Sequence, residues 1–201
     1  MPKRAVVLID GQNLYHGAKE AWCPPAPAPP QSAHYGWPSY DARKIALALV
    51  NSSADRELGQ CRFYTGVPSP KQSELWHGFW TAKLRMMKGQ GVETYKGHIN
   101  PGGQEKGVDV SIAVDVVRLT YQNAYDVAIV VSADWDLAPA IKLARLISAE
   151  NGRNPEFESA SPYEPGVFEN RGLPGTTWLR IDRAMYDRCR DHNEYRPWRF
   201  R

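Results

Sequence analysis

The sequence predicts an α/β fold: a mostly parallel sheet with helices on both faces. Three observations lead there. Short apolar, β-branched runs such as AVVLI at 5–9 and VAIVV at 127–131 have the composition of strands buried on both sides. Longer segments with helical spacing alternate with them along the whole chain. Aspartates stand just after two of the runs, at the strand ends where an open α/β sheet gathers its functional side chains.

Taken in order, strand 5–9 is followed by a helix near 14–21, with Gly11 permitting a tight turn between them. A helix near 40–51 precedes a strand at 61–66, and a helix at 71–88 leads to a strand at 92–96. The segment 108–122 reads as a helix whose apolar arc holds Val108, Ile112, Ala113, Val116, Val117 and Leu119. Strand 126–132 is the cleanest in the chain. It feeds a helix at 137–149 through Leu137, Ile141, Leu143 and Leu146, with Pro139 suited to the first turn. A weaker strand near 156–159, a short strand at 177–181 and a helix at 182–191 complete the pattern. Two stretches interrupt it. Residues 23–38 hold six of the sixteen prolines and predict an extended, polyproline-like insertion, with His34, Tyr35 and Trp37 near the strand ends. Residues 151–177, rich in Gly, Pro and Glu, predict a segment wrapping the sheet edge.

With 201 residues, 42% hydrophobic and 23% charged, the chain reads as one domain spanning 1–201. No apolar run approaches a membrane span, and Asp10 interrupts the first one too early for a signal peptide, so a cytoplasmic protein without membrane contact is expected. Cys23, Cys61 and Cys189 are far apart and lack metal-site spacing. A net charge of +3 says little, but its distribution says more: residues 107–136 carry five aspartates and one arginine, while residues 180–201 carry seven arginines and four acids. An acidic centre with a basic periphery suits a metal site acting on a polyanion. The Arg-rich tail at 192–201, with Tyr195, Trp198 and Phe200 interleaved, is a candidate for contacting nucleic acid.

The chemistry is carried by three acidic stations. Asp10 ends the first strand; it either caps the next helix or serves a site, and Asn13 lies one turn on, able to orient it or bind a phosphate or ribose. Asp109 falls near the middle of the apolar arc of its helix, which predicts a carboxylate facing protein and in need of a partner. Asp115 instead joins Ser111, Arg118 and Gln122 in a polar stripe, predicting an ion pair. Asp134 and Asp136 follow strand 126–132 and Ser132; Asp134 is expected to be a metal ligand, while Asp136 is expected either to serve the site or to cap the helix. Carboxylates gathered at one edge repel unless a cation intervenes, and hard oxygen ligands favour Mg²⁺ or Mn²⁺. The chemistry suggested is metal-assisted phosphodiester hydrolysis.

VVLIDGQNLY, EKGVDVSIAVDVV and DVAIVVSADWDLAPAI resemble, in order and spacing, the signature segments of NYN domains, in the LabA-like branch of the PIN-like ribonuclease superfamily. The resemblance implies a PIN-like Rossmannoid three-layer sandwich and a Mg²⁺- or Mn²⁺-dependent endoribonuclease. It assigns Asp10, Asp109 and Asp134 to the metal and, with Asp136, to catalysis. Asn13, Ser132, Trp135 and Lys106 are the candidate substrate contacts. RNA is the expected partner; DNA and self-association stay open. SADWDL departs from the SGDSDF usual in the family, placing Ala133 for Gly and the bulky Trp135 for a small residue. A non-catalytic RNA-binding or adaptor module is the main alternative. A metal-dependent glycosyltransferase reading Asp134-Trp135-Asp136 as its DxD motif is another, but it leaves Asp10 and Asp109 unexplained.

Overall fold

The computed structural model describes residues 1–23, 30–166 and 172–200. The chain runs β1 (Lys3–Asp10), α1 (Gly11–Trp22), α2 (Ala42–Val50), β2 (Arg56–Val67), α3 (Glu74–Gly89), β3 (Glu93–Ile99), β4 (Glu105–Lys106), α4 (Val108–Tyr121), β5 (Val127–Val131), α5 (Ala138–Glu150), β6 (Glu156–Pro162), β7 (Thr177–Ile181) and α6 (Arg183–Arg188). The strands form one sheet in the order β4-β3-β2-β1-β5-β6-β7. Every pairing is parallel except β3 with β4.

The layering follows from strand composition. β5 is buried at all five positions and β1 from Ala5 to Asp10, so both sheet faces are covered. Val7 and Ile9 point into a core shared with Leu14, Ile45, Trp80 and Tyr186, under α1, α2, α3 and α6. Val6 and Leu8 point into the opposite core with Ile112, Val116 and Ile141, under α4 and α5. The helices start where a side chain satisfies a free backbone N–H: Asp10, Asp41, Ser73 and Asp182 accept from Asn13, Lys44, Trp76 and Met185.

Several expectations shift. β2 begins at Arg56, five positions before Cys61, because its polar first half alternates between half-buried and exposed residues rather than forming an apolar run. β4 was absent from the predicted pattern. The 23–38 stretch is not extended throughout: Pro30–Gly36 forms a 3₁₀ helix, packed through Tyr35 against Trp22 and Tyr186. Residues 24–29 lie outside the described residues. Tyr35 is fully buried, with its hydroxyl donating to Asp187, so it belongs to the core rather than to a substrate surface. Within the 151–177 stretch, β6 is an interior strand, and residues 167–171 lie outside the described residues.

Candidate active site

Sheet order sets the place. Moving outward from β1, the chain proceeds through β2 and β3 on one side and through β5 and β6 on the other, so the carboxyl ends of β1 and β5 flank the topological switch point. Ile9 pairs with Val131, putting Asp10 beside Ser132. Asp10 is 5% exposed. Its Oδ1 accepts from the Asn13 backbone N–H at 2.9 Å, and the Ser132 hydroxyl donates to its Oδ2 at 3.4 Å. Asp10 therefore caps α1 through one oxygen while the other faces Ser132. Gly11 is required for a different reason than a tight turn: a Cβ there would run into the ring of Phe63.

Two further hydrogen bonds tie the β1 and β5 turns together. The Ala133 N–H donates to Asn13 Oδ1 at 3.0 Å, and the Asp134 N–H donates to Ser132 Oγ at 3.1 Å. Ser132, expected as a substrate contact, is 1% exposed and joins Asp10 to Asp134 through these hydrogen bonds. The cap considered for Asp136 falls instead to Asp134. A 3₁₀ turn, Trp135–Leu137, separates β5 from α5, and Asp134 caps it by accepting from the Asp136 N–H at 3.0 Å. Asp136 caps nothing; it is exposed, as is Trp135. Pro139 sits in the first turn of α5 as expected.

Asp109 lies on the first turn of α4 but does not face the interior; it is exposed. Val117, counted into the apolar arc, is only half-buried, so the true arc is centred on Ile112, Val116 and Leu119, to one side of Asp109. Asp115 is paired as expected, with Arg62 at 3.0 Å and Arg118 at 2.8 Å, and its pKa is lowered.

The residue that sequence reasoning missed is Glu105. β4 lies antiparallel to β3 and brings the Glu105 carboxylate onto the backbone N–H of Gly66, at the end of β2. A Cβ at Gly66 would stand 2.5 Å from Glu105 Oε2, so this approach needs glycine. Glu105 opens the quoted segment EKGVD, and its place beside Asp109 was the available signal.

The acids share one electrostatic neighbourhood. Burial pushes the Asp10 pKa up to about 7, with Glu105 and Asp109 adding to the rise. Burial likewise raises Glu105 to about 7, helped by Asp109. Partial cover of its carboxyl, then Asp134 and Asp136, raises Asp109. Among the described residues, none of these five forms an ion pair with lysine, arginine or histidine. Nor, among them, does any group of three His, Cys, Asp or Glu side chains lie close enough to hold one metal ion as arranged. The stations reach one edge but stand apart there, as mutually repelling carboxylates do. Their donor set of hard oxygens suits Mg²⁺ or Mn²⁺; Asp109 is exposed and Asp134 half-buried. Lys106 is exposed beside Glu105 and forms no ion pair among the described residues.

The family model of the NYN domain matches residues 4–148, spanning β1 to α5 and thus every acid named here. No curated protein matches the chain. Among solved structures, a protein of unknown function from Vibrio parahaemolyticus RIMD 2210633 is similar, at 18% identity and a TM-score of 0.56, covering 90% of this chain and 94% of its own. That likeness speaks for the fold alone.

Proposed function

This chain belongs to the NYN domain family, within the PIN-like nuclease superfamily, and on that premise we propose that it is a metal-dependent endoribonuclease of the LabA-like branch, with residues 1–201 acting as one cytoplasmic domain. One observation carries the reading: a buried carboxylate, Asp10, whose pKa is raised by burial and by nearby Glu105 and Asp109, and which lacks a cationic partner among the described residues. Leaving such a group unpaired is expensive, and a divalent ion with its phosphate substrate supplies the missing charge.

Asp10, Asp109 and Asp134 would hold the ion, Mg²⁺ or Mn²⁺, with Glu105 and Asp136 close by. When bound, such an ion supplies a polarised phosphoryl oxygen and a water of lowered pKa. The chain's own groups do the rest. Ser132 and Asn13 fix the Asp10 and Asp134 turns. Glu105, with its pKa near 7, takes or returns a proton at neutral pH. Asn13 Nδ2, which donates to none of the described residues, and Lys106 reach toward phosphate or ribose, and the exposed face of Trp135 stacks on a base. No helix among the described residues is long and apolar enough to cross a membrane.

The spacing of the acids favours one rival, a non-catalytic RNA-binding module. The glycosyltransferase reading has no such support, since Asp10, Glu105 and Asp109 stay unexplained by it. The test is cleavage of labelled RNA and DNA with Mn²⁺, Mg²⁺ or EDTA, alongside Asp10→Asn, Asp109→Asn and Asp134→Asn. Metal-dependent RNA cleavage reduced by at least a hundredfold in each variant is expected. Equal cleavage by parent and variants overturns the site, and EDTA-resistant RNA binding without cleavage selects the rival.

A further inference from the structure

Beside the acidic edge lies a cavity of about 650 Å³, between α1, α3 and the turn after β3. It is of the size that encloses small molecules, about 300–1,000 Å³. Its composition is unlike that of the acidic edge. Among the described residues no Asp, Glu, Lys or Arg lines it; Tyr15, Trp76 and Trp80 form aromatic walls, His16 adds an imidazole that burial keeps toward its neutral form, and Gln12 adds an amide. Several polar groups in the wall lack protein partners. No described residue accepts from the indole N–H of Trp80 or Trp76, and neither N–H is sealed from solvent, so both are open to an acceptor on a ligand. Gln12 donates through Nε2 to Thr65 Oγ1 at 3.4 Å, leaving its Oε1 without a donor among the described residues.

These features select an occupant by exclusion. A charged ligand finds no counter-charge in the wall. A purely apolar one leaves the indole N–H groups and the Gln12 carbonyl desolvated and unpaired. A flat, neutral heterocycle that both stacks and hydrogen-bonds satisfies all of them. The cavity also abuts the acids directly: Gly66 lines it while its N–H holds Glu105, and Gln12 lies two residues after Asp10. A sugar-phosphate at the acidic edge therefore places its base at the cavity mouth.

We infer that this cavity is a nucleobase subsite, receiving one unstacked base of single-stranded RNA whose phosphodiester lies over Asp10 and Glu105. The inference rests on the nuclease reading for its substrate class, but binding tests it separately from cleavage.

The experiment uses the full chain in EDTA, titrated with AMP, GMP, CMP, UMP and ribose 5-phosphate, and followed by tryptophan fluorescence and calorimetry. At least one nucleotide is expected to bind about tenfold or more tighter than ribose 5-phosphate, as base–aromatic stacking implies. Trp76→Ala removes that advantage, Trp76→Phe largely restores it, and Trp76→Ala raises KM for RNA with little change in kcat. Gln12→Ala provides a second variant should Trp76→Ala fail to fold, and it weakens the preferred nucleotide selectively. Nucleotides binding no tighter than ribose 5-phosphate, or a base preference untouched by the folded variants, overturn the subsite. Base-dependent binding that moves with Trp76 while no RNA is cleaved overturns the nuclease reading and keeps the subsite; cleavage without base-dependent binding does the reverse.

Discussion

At the scale of single residues, Asp10 divides its carboxylate between two tasks: Oδ1 terminates α1, and Oδ2 faces Ser132 and the acidic edge. Its pKa rises from 3.8 to about 7 because burial penalises the charge and Glu105 and Asp109 repel it. A carboxyl raised in this way binds its proton more tightly folded than unfolded. Its stabilising effect is complete below the unfolded value and is lost as the pH climbs through the folded one. The metal-free protein should therefore lose melting temperature between pH 4 and 7. Asp10→Asn should flatten that decline and melt several degrees higher above neutrality, since asparagine is also a good cap and keeps the side-chain shape. Mn²⁺ should raise the melting temperature of the parent and leave the variant unmoved, because binding to the folded state stabilises it. Thermal melts across pH, with EDTA and with Mn²⁺, check all three; a variant that melts like the parent at every pH removes charge repulsion from the account.

Among the elements, legibility followed length and periodicity. β1 and β5 could be read because both faces are buried and the apolar runs are uninterrupted, and the caps Asp10, Asp41 and Ser73 set helix starts within a few positions of those expected. β4 could not. Two residues, Glu105 and Lys106, carry no periodicity, and the strand exists only through its pairing with β3. Glu105 went unnoticed for that reason, and the cap considered for Asp136 falls to Asp134 because nothing in SADWDL announces a 3₁₀ turn before α5. The role of β4 can be tested through the glycine that admits it. Gly66→Ala would press a methyl against Glu105 and Ile99, and overpacking of this kind costs about 1–3 kcal/mol. Glu105→Gln keeps an acceptor for the Gly66 N–H and removes the charge. Denaturant midpoints should fall in Gly66→Ala and hold in Glu105→Gln, while RNA cleavage drops at least tenfold in both; undiminished cleavage in Glu105→Gln would leave Glu105 a merely structural brace.

Across the whole molecule the two ends of the sheet treat their acids in opposite ways. Toward the strand amino ends, Asp55, Asp126, Glu156 and Glu158 each meet a cation, from Lys3, Arg4, Arg56 or Arg153. At the carboxyl ends, among the described residues, Asp10, Glu105, Asp109, Asp134 and Asp136 meet none. Carboxylates without a cation thus gather at the switch point; elsewhere among the described residues, Asp41 and Asp182 cap helices, Glu164 accepts from the Trp22 indole, and Glu57 and Glu150 are exposed. The C-terminal arginines, expected from sequence to contact nucleic acid, follow the paired pattern: Arg196 binds Glu194 and stacks on Trp37, and Arg199 binds Glu74. Ahead of them Asp191 meets the buried Lys83 at 2.9 Å, and Tyr195 packs against Phe79 while its hydroxyl donates to Asp191. The tail is therefore folded onto α3, with much of its charge already neutralised. Ending the chain after Asp191 removes the Tyr195 ring from the core and opens the Lys83 pair to water. Loss of a buried aromatic side chain costs about 3–5 kcal/mol, and a fall of that size in unfolding free energy is expected from denaturant titration. The salt dependence of RNA binding should change by no more than about one phosphate contact. A slope flattened by several contacts, with stability retained, would return the tail to the substrate.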